Sequence, residues 1–288
     1  MLWQKGRRSD NVVSASGGGA RRFGGGPGLG IGGIVVVCLI SWALGKNPLE
    51  ILSLLMQDGG GPAPQTQTEQ APAQTQTTEF VRAVLGSTED VWQQIYASKG
   101  GQYKVPRLVL FQGGVNSACG SASSAVGPFY CPGDQQVYLD TSFFDELSNR
   151  FKAAGDFARA YVIAHEVGHH VQNLMGVMRK SEELRRQGAP MEGAEGLSVR
   201  QELQADCFAG VWAHQAQRQL QWLEQGDVES ALAAATAIGD DKLQQQSRGH
   251  VVPDSFTHGS SAQRVRWFRL GLERGDVNAC DTFATQSL

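Results

Sequence analysis

The stretch Ala158 to Gly176, A-R-A-Y-V-I-A-H-E-V-G-H-H-V-Q-N-L-M-G, leaves little freedom in how the chain can fold. Its apolar flanks predict a buried helix over Asp156 to Met175, stopped at Gly176. Residues four apart share a helix face, so His165 and His169 present two imidazoles to one point, with Glu166 beside them. The alternative is a helix whose His and Glu face solvent. The apolar flanks argue against that, and buried His and Glu require partners. His170 is turned about 100° from His169 and reads as a packed or solvated histidine.

Two imidazoles and a neighbouring carboxylate suit zinc, which takes neutral His nitrogens and keeps an open position in catalytic sites. In such a site the metal lowers the pKa of water towards about 7, and a carboxylate such as Glu166 takes the proton. A third ligand is expected. Glu202, in Q-E-L-Q-A-D-C-F-A-G-V-W, is the candidate, on a helix that Ser198 and Gln201 would open as a capping box and Gly226 would stop. Asp206 is one turn further on the same face, placed to accept a hydrogen bond from a ligand His. Two surface carboxylates are the bland alternative, but Leu203, Cys207, Phe208, Val211 and Trp212 make the helix too apolar to lie on a surface.

With T-H-G-S-S-A-Q-R-V-R-W-F at 257–268, these motifs resemble a bacterial family of neutral zinc metallopeptidases over essentially the whole chain. More distantly, the order H-E-x-x-H then E-x-x-x-D is similar to the gluzincins. The resemblance implies an α+β fold, a mainly helical zincin-like domain with a small β-sheet. It implies one Zn2+ per chain on His165, His169 and Glu202, with Glu166 as base and His258 assisting at the transition state. For His258 a solvent-exposed loop position is the competing reading. Arg264 and Arg266 read as helix-surface charge, with orientation of nearby carboxylates as the alternative. The chain lacks the several transmembrane helices of the distant relatives, so their intramembrane substrates do not carry over.

The only strongly apolar run, Leu29 to Leu44, follows Lys5, Arg7, Arg8, Arg21 and Arg22, with a single acid, Asp10. It is slightly shorter than the ~20 residues of a spanning helix, and 48–56 can extend it. The reading is a basic disordered leader at 1–28, a transmembrane anchor at 29–56, a Gln/Thr/Pro linker at 57–78 and a peptidase domain at 79–288. A cleaved signal peptide fits less well, because the leader is long and no small-x-small site follows. The positive-inside rule puts the N-terminus in the cytoplasm and the domain in the periplasm or outside the cell. Net charge is −3 over 288 residues, so nothing points to nucleic acid as a partner.

Besides Cys38 in the apolar run, four cysteines fall in the exported part, and an oxidising compartment allows two disulfides. Of three possible pairings, Cys119–Cys131 and Cys207–Cys280 are favoured. A zinc–thiolate site would need a CxxC spacing, which is absent. Helices are expected at Glu79–Ala97 and Ser261–Arg274, and strands at Arg107–Phe111 and Gln135–Asp140, the latter a candidate edge for substrate docking by analogy with the fold that the resemblance implies. The chemistry fits a peptidase acting on a peptide or protein substrate. A latent metal-binding envelope protein is the alternative, and a cell-wall amidase a third reading. Oligomeric state is not legible.

Overall fold

A computed structural model of the chain describes residues 1–15, 69–70, 73–285 and 287–288. The expected anchor at 29–56 lies outside the described residues. Among those described, no helix is long and apolar enough to cross a membrane.

The architecture is α+β and mainly helical. A five-stranded sheet runs in the order β2 (Glu69–Gln70), β1 (Val12–Ala15), β3 (Arg107–Phe111), β7 (Gln136–Asp140), β6 (Phe129–Cys131). β1, β3 and β7 are parallel, and the outer strands β2 and β6 are antiparallel to their neighbours. Side chains alternate between faces. Leu108, Leu110, Val137 and Leu139 therefore enter the main core with the helices. Val109, Phe111, Tyr138 and Cys131 form a second cluster with Val115. That valine belongs to a hairpin, β4 (Gly114–Ser117) and β5 (Gly120–Ser123). Cys119 and Cys131 are disulfide-bonded, which ties the hairpin turn to β6.

The helices are α1 (Gln76–Ser98), α2 (Phe143–Asn149), α3 (Asp156–Leu174), α4 (Val177–Arg186), α5 (Leu197–Leu220), α6 (Asp227–Ala237), α7 (Asp240–Arg248) and α8 (Ser261–Arg274). α3 and α5 pack at Gly168, where an added Cβ would sit 2.9 Å from the Ala205 carbonyl oxygen. At Gly271 of α8 the same addition would fall 2.0 Å from the Cys207 carbonyl oxygen of α5. These glycines bring three backbones close enough for short side chains to meet between them. The Cys207–Cys280 disulfide adds the C-terminal segment to α5.

Four expectations from the sequence need correction. Residues 1–15 do not form a disordered leader but belong to the same compact unit as 69–288, so the domain does not begin at 79. Trp3 is buried, stacks edge-on against Phe80 at 5.7 Å and donates to Asp156 Oδ2 at 3.1 Å. The basic residues have acidic partners in α1: Arg7 with Glu89 and Asp90, Arg8 with Glu79. Second, α1 starts at Gln76, with Thr75 capping the Thr78 amide, so the expected linker ends earlier. Third, α5 starts one residue before Ser198 at a Gly196 N-cap, and no capping box forms there; the box occurs instead at Ser260 and Gln263 of α8. Fourth, β7 is paired on both sides and is not an edge; among the described residues the sheet ends at β6.

His170 is fully buried, with Nε2 2.6 Å from the Lys104 carbonyl oxygen and Nδ1 3.1 Å from the Tyr130 hydroxyl. It is the packed histidine of the two alternatives, and it joins α3 to the segment before β3. Burial depresses its pKa from 6.5 to about 4. The folded state therefore favours the neutral ring, so this contribution is present above pH 6.5 and is lost as pH falls towards 4. The depression corresponds to about 3 kcal/mol. Denaturant titrations at pH 7 and pH 4.5 should show the wild type losing more stability than His170→Gln. Equal losses would remove His170 as the cause.

Candidate metal centre and active site

α3 places His165, Glu166 and His169 at the floor of a cavity of about 880 Å³, which Glu202 and His258 also line. Candidate ligand atoms of His165, His169 and Glu202 all lie within 4.8 Å of one another. His165 Nε2 is 3.1 Å from Glu202 Oε2, and His169 Nε2 is 3.4 Å from Glu202 Oε1. Ligands ~2.0–2.1 Å from a tetrahedral zinc are ~3.3 Å apart, so this spacing suits a metal held by the three groups.

The other ring nitrogens are already engaged. His165 Nδ1 is 2.8 Å from Asp206 Oδ1, and His169 Nδ1 is 2.9 Å from Gln172 Oε1. Both partners are acceptors, so each histidine holds a proton on Nδ1, which leaves Nε2 as the nitrogen that offers a lone pair when a metal displaces its proton. Asp206 has no exposed surface, and it accepts from Tyr161 at 2.6 Å and from two nitrogens of Arg264 at 2.9 Å. Arg264 is therefore not a surface charge: it is 2 % exposed and balances a carboxylate inside the protein. Arg266 instead reaches the Leu288 carbonyl oxygen.

Electrostatics follow from burial and charge. Burial opposes charge on His165, but Asp206 and Glu202 outweigh it and push its pKa up to about 10. A cation bound there displaces a proton, so affinity falls as pH falls. Burial raises Glu202 too, yet His169 and His165 hold it well below the usual carboxylate range. Glu166 moves the other way, raised chiefly by burial, with the two histidines pulling against it. Two carboxylates near one centre thus have opposed proton affinities, as an acid–base group and a ligand require.

His258 shares the cavity from the loop before α8. Its side chain is half exposed, and Nδ1 lies 3.4 Å from Asp240 Oδ1 and 2.9 Å from Thr257 Oγ1. The hydrogen bond to Asp240 raises its pKa. Asp240 Oδ2 also accepts the amides of Thr257, His258 and Gly259, which shapes the loop. Tyr161, Gln172 and Asp240 are not candidate site residues in the sequence, and Arg264 is one only through the alternative to surface charge, the orientation of a carboxylate. Tyr161 and Gln172 carried a helical signal, being four before His165 and three after His169. Asp240 carried none.

The chain matches the family described as "Putative neutral zinc metallopeptidase" over residues 1–283. It belongs to that family. It is similar to "Uncharacterized protein YpfJ" of Escherichia coli K12, 46% identical over 289 residues that cover 98% of this chain and 99% of the relative. It is also 47% identical over 218 residues to "Uncharacterized protein Rv2575" of Mycobacterium tuberculosis H37Rv, covering 72% of this chain and 71% of that one. No solved structure matches it. Zinc is the metal the family implies, and the His165, His169 and Glu202 cluster is compatible with it.

Proposed function

We propose that the chain is a zinc-dependent peptidase that hydrolyses peptide bonds, with His165, His169 and Glu202 as ligands. One observation supports this above the rest: both Nε2 atoms converge on Glu202 at 3.1 and 3.4 Å, while Glu166, raised by burial, lines the same cavity. Zinc held there supplies a Lewis acid and lowers the pKa of water towards about 7.

Glu166 takes a proton from the attacking water and delivers it to the leaving amine, a role suited to a carboxylate with raised pKa. His258, its Nδ1 held by Asp240 and Thr257, donates from its ring to the negative charge developing on the carbonyl oxygen. Arg264 and Tyr161 keep Asp206 in place, and Asp206 fixes His165. The peptide lies along β6, where the sheet ends and Phe129 and Tyr130 line the cavity, adding its backbone as a further strand. The two disulfides support an oxidising compartment, the periplasm or cell exterior, as the location of the domain.

The test uses the full-length protein and a mixed peptide library. Bound zinc is expected at about one per chain, as the one-site geometry requires. A chelator should abolish hydrolysis, and zinc should restore it. Hydrolysis that survives complete removal of metal would rule the reading out. Bound zinc with no hydrolysis of any peptide would favour the latent metal-binding protein.

A further inference from the structure

Behind His169 a chain of buried amides runs to the C-terminal segment. Gln172 is fully buried; its Oε1 faces His169 Nδ1 at 2.9 Å, and its Nε2 donates to the Gln201 carbonyl oxygen at 2.7 Å and to Gln204 Oε1 at 3.1 Å. Gln204, 6 % exposed, donates through Nε2 to the Cys280 carbonyl oxygen at 2.9 Å. Cys280 is in turn disulfide-bonded to Cys207, three residues along α5 from Gln204.

The direction of this relay is set at its ends. A main-chain carbonyl can only accept, so Cys280 O makes the facing atom of Gln204 its NH2 group. Gln204 Oε1 is then the acceptor for Gln172 Nε2, and Gln201 O imposes the same orientation. Gln172 must therefore offer Oε1 to His169, which needs the proton on Nδ1 and the lone pair on Nε2. We propose that Gln172 and Gln204 are positioning residues that lock the metal-binding tautomer of His169, with the Cys207–Cys280 disulfide holding the far end. His165 gets the same service from a carboxylate; an amide relay does it for His169 without adding another buried charge.

This proposal rests on the zinc reading above. Its test is zinc affinity, measured by chelator competition on the full-length protein, for wild type, Gln172→Leu, Gln204→Leu and the Cys207→Ala/Cys280→Ala pair. Loss of a partner behind a ligand His weakens metal binding by about 10–100-fold. The expected order of loss is Gln172→Leu, then Gln204→Leu, then the cysteine pair, with Gln172→Glu retaining more affinity than Gln172→Leu because it keeps an acceptor. A core variant of similar thermal stability, Leu85→Ala, should bind zinc as wild type does. Leucine variants with wild-type affinity would overturn the relay. A wild type that binds no zinc would instead remove the metal centre itself.

A second inference comes from the other end of the chain. β1 is an interior strand, with Val12 paired to Leu108, Val13 to Val109 and Ser14 to Leu110. Ala15 pairs with Glu69, so the chain leaves the domain at 15 and is back beside the same point at 69. Whatever path 16–68 takes, both ends lie on one side of any membrane. A single crossing at Leu29–Leu44 would put β1 and β3 in different compartments and break their pairing. We infer that residues 1–15 and 69–288 share a compartment.

Single cysteines at Asp10, whose side chain is 95% exposed, and at exposed Gln187 test this in a Cys38→Ser background. The other four cysteines are disulfide-bonded, so each variant has one reactive thiol. With a membrane-impermeant maleimide on intact cells and on lysates, both positions are expected to show the same accessibility. Labelling of one only in intact cells and of the other only after lysis would overturn the inference and restore a single-pass topology.

Discussion

Glu166→Gln should retain about one zinc per chain and lose hydrolysis by about 10²–10⁴-fold, the usual contribution of a positioned general base. The amide matches the carboxylate in shape, and Glu166 is not among the atoms that converge on the metal position, so binding has no reason to fail. What is lost is a proton acceptor whose pKa burial has raised. Metal content by elemental analysis and cleavage of the peptide library read the two quantities separately. A variant with zinc and undiminished cleavage would reassign the base. A variant without zinc would mean that Glu166 belongs to the ligand set.

Arg264→Met should destabilise the metal-free protein by about 3–5 kcal/mol, because it leaves the Asp206 carboxylate buried without its principal cation. Burial alone would raise the pKa of Asp206, but Arg264 and then His165 hold it below its ordinary value. Without Arg264 that balance reverses. The carboxylate then competes for a proton instead of accepting one from His165 Nδ1, and zinc affinity should fall about 10–100-fold. Arg264→Lys should recover part of both effects, since an ammonium restores charge but cannot make the paired 2.9 Å contacts of the guanidinium. Denaturant unfolding and chelator competition are the measurements. Stability within about 1 kcal/mol of wild type would place this arginine outside the short list of severe effects.

How much of this was legible in the sequence depends on the range over which each feature is encoded. The helix carrying His165, Glu166 and His169 was legible, because a 3.6-residue period and apolar flanks are local properties of twenty residues. Glu202 and Asp206 were legible for the same reason, being one turn apart on a second apolar helix. The strands at 107–111 and 136–140 lie within the runs Arg107–Phe111 and Gln135–Asp140 that read as strands, and the two disulfides are the favoured pairings. Gln172 and Tyr161 stood in helical register with the histidines and were open to the same reasoning.

Arg264 looked like surface charge because it is one of four arginines on an amphipathic helix, where such residues are usually solvated. Only the close approach of α8 to α5 at Gly271 buries it against Asp206, and no local pattern encodes which helix lies beside which. The run 135–140 is an edge candidate only by analogy with the implied fold, and its two neighbours, β3 and β6, are set by pairing that no local pattern encodes. Residues 1–15 misled most, since a short basic, Gly-flanked segment has the composition of a disordered leader. Trp3 and Val12 lose that character once a core, assembled from residues beyond 69, gives them apolar surface, and Glu79, Glu89 and Asp90 neutralise the arginines. The chemistry of the site was thus carried by helix period and residue type. The partners that hold its protons, the strand at the edge of the sheet and the place of the N-terminal strand beside β3 were decided by long-range packing, which exists only once the chain has closed on itself.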